Sequence, residues 1–154
     1  MNKIKNLWTG TPGYNCIACS PNNPIGFHLD FYEEGDYILT RWNPTQNHQS
    51  WINTLHGGVQ SLLIDEVAGW VVTRKLQTTG VTSKMEIKYI KPVKTNEGEI
   101  LVRAKLNKQM RNIAYIDAEL LNKEGEVCTQ GTLIYFCASP EMAAKEGFPG
   151  CEIE

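Results

Sequence analysis

Between Gly57 and Leu76 the chain carries a segment of helical period that is apolar on nearly every side. Asp65 and Glu66 are its only charges before the basic pair Arg74-Lys75. Such a helix is stable only when enclosed, so the rest of the chain must supply a layer to wrap it. After Gly80 the period changes to two, with Val81, Ser83, Met85, Ile87 and Tyr89 alternating with Thr82, Lys84, Glu86 and Lys88. Ile100, Val102, Ala104 and Leu106 then share a face, as do Ala114, Ile116, Ala118 and Leu120. A last strand is expected from Glu126 to Cys137, reached through the hairpin connection Asn122-Lys123-Glu124-Gly125. Two shorter strands hinged at Gly35-Asp36 are expected between Gly26 and Asn43. One helix followed by four strands with short connections predicts an α+β fold, an antiparallel sheet curled around one central helix.

At 154 residues and 42% hydrophobic composition, a single domain over residues 1–154 is expected. Residues 1–25, rich in Pro, Asn and Gly, read as an irregular lead, and residues 138–154 as a loosely held tail. The net charge of −2 with scattered basic residues predicts no nucleic-acid partner. The interrupted apolar run predicts no membrane span. No apolar stretch follows Met1–Asn6 and the cysteines number five, so reduced thiols in a cytoplasm are expected. Cys16 and Cys19 form a C-x-x-C pair, but no second pair or histidine pair stands at zinc spacing. They read as a loop with two thiols and no metal.

Gly57 and Gly58 open the long helix. A helix start leaves backbone N–H groups bare, with the positive end of the macrodipole behind them, and such an end can polarise a carbonyl oxygen. Two turns in, Asp65 is the one strong base on the face formed by Gly58, Ser61, Asp65 and Gly69, spaced three, four and four. Small residues on that face leave room for a reactant to approach the carboxylate. Glu66 lies further round the helix and reads as a structural contact. No G-x-S-x-G nucleophile motif accompanies His56, which reads as a residue fixing the loop before the helix.

These elements resemble the hotdog-fold thioesterases of the phenylacetate-pathway (PaaI) type. Thr54-Leu55-His56-Gly57-Gly58, Leu63-Ile64-Asp65-Glu66 and Tyr89-Ile90-Lys91-Pro92-Val93 carry the resemblance. Cys16-Ile17-Ala18-Cys19 through Asn23-Pro24-Ile25-Gly26 is similar to an N-terminal signature of the same group. The resemblance implies that Asp65 is the nucleophile or general base and that the Gly57 N–H, with Gly58 adjacent, polarises the thioester carbonyl. It implies that Thr82 helps place the attacking water, with Ser83 the alternative hydroxyl if the strand register is off by one. Ser50, with Gln49 beside it, stands where the group has a carbonyl-contacting Asn or Gln, and Asn53 where a glycine is common. His56, Ser61, Lys91 and Arg111 complete the candidate substrate contacts, the last two toward the phosphates of coenzyme A.

The activity implied is hydrolysis of an acyl-CoA thioester without cofactor. A binding domain that holds acyl-CoA without turning it over, and a hydratase or dehydratase on the same fold, are the alternatives. Gly57 and Asp65 are eight residues apart, roughly 12 Å along one helix axis. One helix therefore cannot hold the carbonyl and attack it. A homodimer or homotetramer (a dimer of dimers) with active sites at the subunit interface is expected.

Overall fold

A computed structural model describes residues 1–154. Short strands β1 (Asn2–Lys3), β2 (Tyr32–Glu34) and β3 (Tyr37–Trp42) precede helix α1 (Gly57–Lys75). Strands β4 (Gly80–Tyr89), β5 (Ile100–Met110), β6 (Ile113–Leu121) and β7 (Val127–Cys137) follow, and α2 (Pro140–Lys145) closes the chain. The seven strands form one antiparallel sheet in the order β1-β2-β3-β5-β6-β7-β4, which leaves β4 as a free edge. Strands β3 to β7 all pack on α1, giving the expected hotdog arrangement. No helix is long and apolar enough to cross a membrane.

The faces follow the periodicity. Ile100, Val102 and Ala104 of β5, and Ala114, Ile116, Ala118 and Leu120 of β6, are buried against Leu63, Ile64, Val67, Trp70 and Val71 of α1. The helix and β7 approach so closely at Gly131 that a Cβ there would stand 2.9 Å from Ile64 Cγ2. Only glycine fits that crossing. At the helix start, buried Gln60 donates from Nε2 to the Leu55 carbonyl at 3.2 Å and accepts from Thr129 Oγ1. These bonds tie the first turn of α1 to β7.

Strand β4 corrects the alternation expected for it. Thr82 pairs with Tyr135 and Lys84 with Ile134, so Ser83 is an extra residue in a β-bulge. A bulge switches the faces that flank it. Met85 and Ile87 face the core as expected, but upstream of the bulge it is Gly80 and Thr82 that face α1, and Val81 is 65% exposed. Thr82 therefore does not share a face with Lys84, Glu86 and Lys88.

The tail is a second correction. Ser139 caps α2, Ala143, Phe148 and Cys151 are buried, and Ile153 bridges to Ile4. Arg74 Nη1 donates to the Cys151 carbonyl at 2.6 Å. The apolar residues among the glycines and prolines bury enough surface to hold the segment down. In the lead, turns cover most of residues 5–25 after the short strand β1.

Candidate active site

Helix α1 begins as its sequence demands. His56 is the N-cap, and its Nδ1 accepts from the Gly58 N–H at 2.8 Å. His56 thus caps the first turn of the helix. The Gly57 N–H has no partner within the chain, and Gly57 lines a cleft of about 340 Å³. Ser50, Thr54, Gln60, Tyr89 and Lys91 border that cleft. Asn53, where the group has glycine, holds a φ of 58°, which explains the preference.

Tyr89 shapes the glycine end. Its hydroxyl donates to the Gly57 carbonyl at 2.8 Å and meets Ser61 Oγ at 3.0 Å, and a Cβ on Gly57 would stand 3.2 Å from it. Ser61 Oγ also donates to the Gly57 carbonyl at 3.1 Å. Gln49 serves the loop, its Oε1 accepting from the Asn53 N–H at 3.0 Å, and it does not line the cleft.

The carboxylate end is a separate cluster. Thr82 Oγ1 donates to Asp65 Oδ1 at 2.7 Å, and Tyr135 Oη reaches the same oxygen at 2.6 Å. Burial, then the hydrogen bond with Asp65, pushes the Tyr135 phenol well above its ordinary value, so it stays a donor. Asp65 Oδ2 has no hydrogen-bond partner within the chain. Ser83, the bulge residue, makes no side-chain hydrogen bond.

Sequence reasoning missed Tyr135 and gave Tyr89 no polar role. Tyr135 lies one position inward on β7, opposite Thr82, so a β4–β7 pairing register would have found it.

Lys91 stands at the glycine cleft but is engaged by Glu126, just before β7. Arg111 is brought to neither cluster's glycine end. It sits at the β5–β6 turn with a φ of 55°, and Ile113 beyond it pairs with Phe136, which pairs with Val81. That is the end of β4 opposite Tyr89, roughly 25 Å away at a strand's rise.

Glu66 makes the structural contact expected of it, accepting from Trp70 Nε1 at 3.1 Å. Cys16 Sγ lies 3.6 Å from the same carboxylate oxygen. Hydrogen bonding from Cys19, against the opposing effect of burial, brings the Cys16 thiol down to about 7.

An antiparallel sheet around one helix, with a glycine end and a braced carboxylate on it, defines a class of protein. Residues 52–129 match the family model of the Thioesterase superfamily, and the chain belongs to that family. Among its relatives, acyl-coenzyme A thioesterase 13 of Mus musculus is 32% identical over 96 residues, covering 61% of this chain and 68% of that protein. The solved structure of a thioesterase superfamily protein, RHA08564, superposes with a TM-score of 0.73 at 20% identity. The match covers 79% of this chain and 62% of that one, so the chain spans less than two thirds of that protein. A hypothetical thioesterase protein of Streptococcus pneumoniae, crystallised with coenzyme A, gives a TM-score of 0.66 at 22% identity, over 72% of this chain and 86% of its own.

Proposed function

We propose that this chain hydrolyses acyl-CoA thioesters, as a PaaI-type member of its family, with Asp65 as the base or nucleophile. The observation that carries the reading is the Asp65 carboxylate. Two hydroxyls brace one of its oxygens and the other has no partner within the chain, on a helix whose neighbouring Leu63, Ile64 and Val67 are buried in the core. The names of its acyl-CoA thioesterase relatives and the coenzyme A in a structural neighbour support the substrate class.

In the general-base form, Asp65 Oδ2 takes a proton from water as the oxygen adds to the thioester carbon. The oxyanion is met by the Gly57 N–H at the positive helix end. Collapse breaks the C–S bond, and the proton returns from Asp65 to the departing thiolate. Acid and free coenzyme A are the products. In the nucleophilic form, Oδ2 attacks the thioester carbon and expels the thiolate to give an acyl anhydride; water then cleaves the anhydride, one of its protons staying with the acid and the other going to the thiolate, and the Asp65 carboxylate is restored.

The two ends of α1 are held apart within one chain. Thr82 contacts Asp65 while Tyr89, at the far end of the same strand, contacts Gly57. The site therefore requires a second copy, as a homodimer or a dimer of dimers. The free edge of β4 supports this reading. Pairing β4 with its own copy about a twofold axis between Met85 and Glu86 puts Thr82 opposite the copy's residue 89, and so each Asp65 near the other chain's Gly57. Trp51 and Ile52, 76% and 63% exposed beside the glycine cleft, add apolar surface for the partner or the acyl chain. The five free cysteines fit a reducing, cytoplasmic setting.

The test is release of free thiol from a panel of acyl-CoA esters of graded length and with aryl groups. Turnover of at least one, well above the uncatalysed rate, is expected. Tight binding of acyl-CoA without thiol release would leave a carrier or sensor instead.

A further inference from the structure

The C-x-x-C loop is not isolated once the chain is folded. The side-chain donor atoms of Cys16, Cys19 and Glu66 all lie within 4.8 Å of one another, although Glu66 is on α1, fifty residues from Cys16. We propose that these three residues bind one divalent ion of the zinc class, with two thiolates and a carboxylate as ligands and a fourth position open.

The geometry matches such an ion. A sulfur at about 2.3 Å and an oxygen at about 2.1 Å from one zinc stand about 3.6 Å apart at the tetrahedral angle. Cys16 Sγ and Glu66 Oε1 are 3.6 Å apart. The backbone N–H of Cys19 points at Cys16 Sγ at 3.4 Å, and so would still donate to that sulfur as a thiolate.

Outer groups aim the ligands. Trp70 Nε1 donates to Glu66 Oε1 at 3.1 Å, and Tyr14 Oη meets Cys19 Sγ at 2.9 Å. Asn6 Nδ2 in turn holds the Tyr14 hydroxyl at 3.0 Å. Such partners set ligand orientation and tune affinity. No lysine, arginine or histidine pairs with Glu66. The mixed thiolate and carboxylate set selects a borderline ion over magnesium or calcium, which take oxygen ligands.

The open position faces a cavity of about 290 Å³ bordered by Trp8, Tyr14, Thr73 and Thr79, room for a water or a small ligand. Binding releases the thiol protons to solvent and pins the N-terminal lead to α1 next to Asp65.

Zinc and cobalt titrations of the reduced, chelator-stripped full chain test the site. One equivalent of zinc is expected to bind and raise the melting temperature, and cobalt to give a thiolate charge-transfer band. Cys16→Ser and Cys19→Ser should abolish the band, and Glu66→Gln should weaken uptake with the circular dichroism spectrum unchanged. Tyr14→Phe should weaken it by roughly 10–100-fold, as loss of an outer partner does. The wild-type titration decides even where a variant fails to fold. No stoichiometric uptake by the reduced chain overturns the site, as does uptake that survives in the Cys16→Ser/Cys19→Ser double variant.

Discussion

Tyr135 Oη lies 2.6 Å from Asp65 Oδ1 and 2.7 Å from the Asp65 backbone carbonyl. One phenol thus fixes both the side chain and the main chain of the residue proposed to do the chemistry. Tyr135→Phe keeps the ring and removes this brace. We expect kcat to fall on the order of tenfold with KM essentially unchanged, since the loss acts on a charged acceptor. A rise in KM with kcat intact would make Tyr135 a substrate contact and not a positioning residue.

Asp65→Asn should fold normally and lose roughly 10²–10⁴-fold in turnover, the range for general acid–base groups. Thr82→Ala should cost on the order of tenfold. Ser83→Ala should be silent, because the bulge leaves that hydroxyl without a partner. Steady-state thiol release from the three variants distinguishes them, and near-full kcat in Asp65→Asn removes Asp65 from the mechanism.

Gly57→Pro deletes the proposed oxyanion donor at little cost to the backbone, while its Cβ, 3.2 Å from Tyr89, requires that ring to give by a few tenths of an ångström. Proline is favoured at the first helical position, and His56 already has the extended ψ of 132° that a following proline demands. Neither Gly57→Pro nor Asp65→Ala should be active alone. Refolded together, they should recover activity, because each heterodimer contains one intact site. Verified mixing without recovery would sink the shared site, as would a fully active monomer.

Gly131→Ala should destabilise the fold by about 1–3 kcal/mol through overpacking. Its Cβ would meet Ile64 Cγ2 at 2.9 Å and Ile87 Cδ1 at 3.1 Å. Urea denaturation measures the loss, and a compensating Ile87→Val should restore part of it.

Glu33 supplies a pH dependence. Burial raises its pKa, but hydrogen bonds from Lys75 and Arg74 outweigh that and hold the carboxyl below its ordinary value. A depressed carboxyl stabilises the fold fully above its unfolded pKa, and the contribution is lost as the pH falls through the folded value. The melting temperature should therefore drop on acidification, and less steeply in Glu33→Gln. Equal slopes for the two proteins would show that the ion pairs carry no linkage.

Much of the fold was legible because its signals are local. The apolar run from Gly57 to Leu76 encodes its helix, and the alternation in β5 and β6 encodes their buried faces. Asp65 was legible as a base because an ionised group is costly where its neighbours are apolar. Tyr135 was not, since an aromatic residue at an inward strand position reads as core and its partner is seventy residues away. The same holds for Glu66, whose approach to the Cys16 loop exists only after α1 packs on the lead. The tail misled because Pro, Gly and charged residues outnumber the few side chains, Phe148 and Cys151 among them, that anchor it.

The extra residue in β4 works as a phase shift. Even-numbered positions up to Thr82 look toward the helix, and odd-numbered positions do so from Met85 onward. A single strand thereby serves two neighbours in opposite parity, the Asp65 carboxylate before the shift and the core after it. No exchange of one side chain for another converts one phase into the other. Only a change in chain length does: with Ser83 deleted, Thr82 and Lys84 would become neighbours, their pairs with Tyr135 and Ile134 would run on as one regular ladder, and Thr82 would still face Asp65.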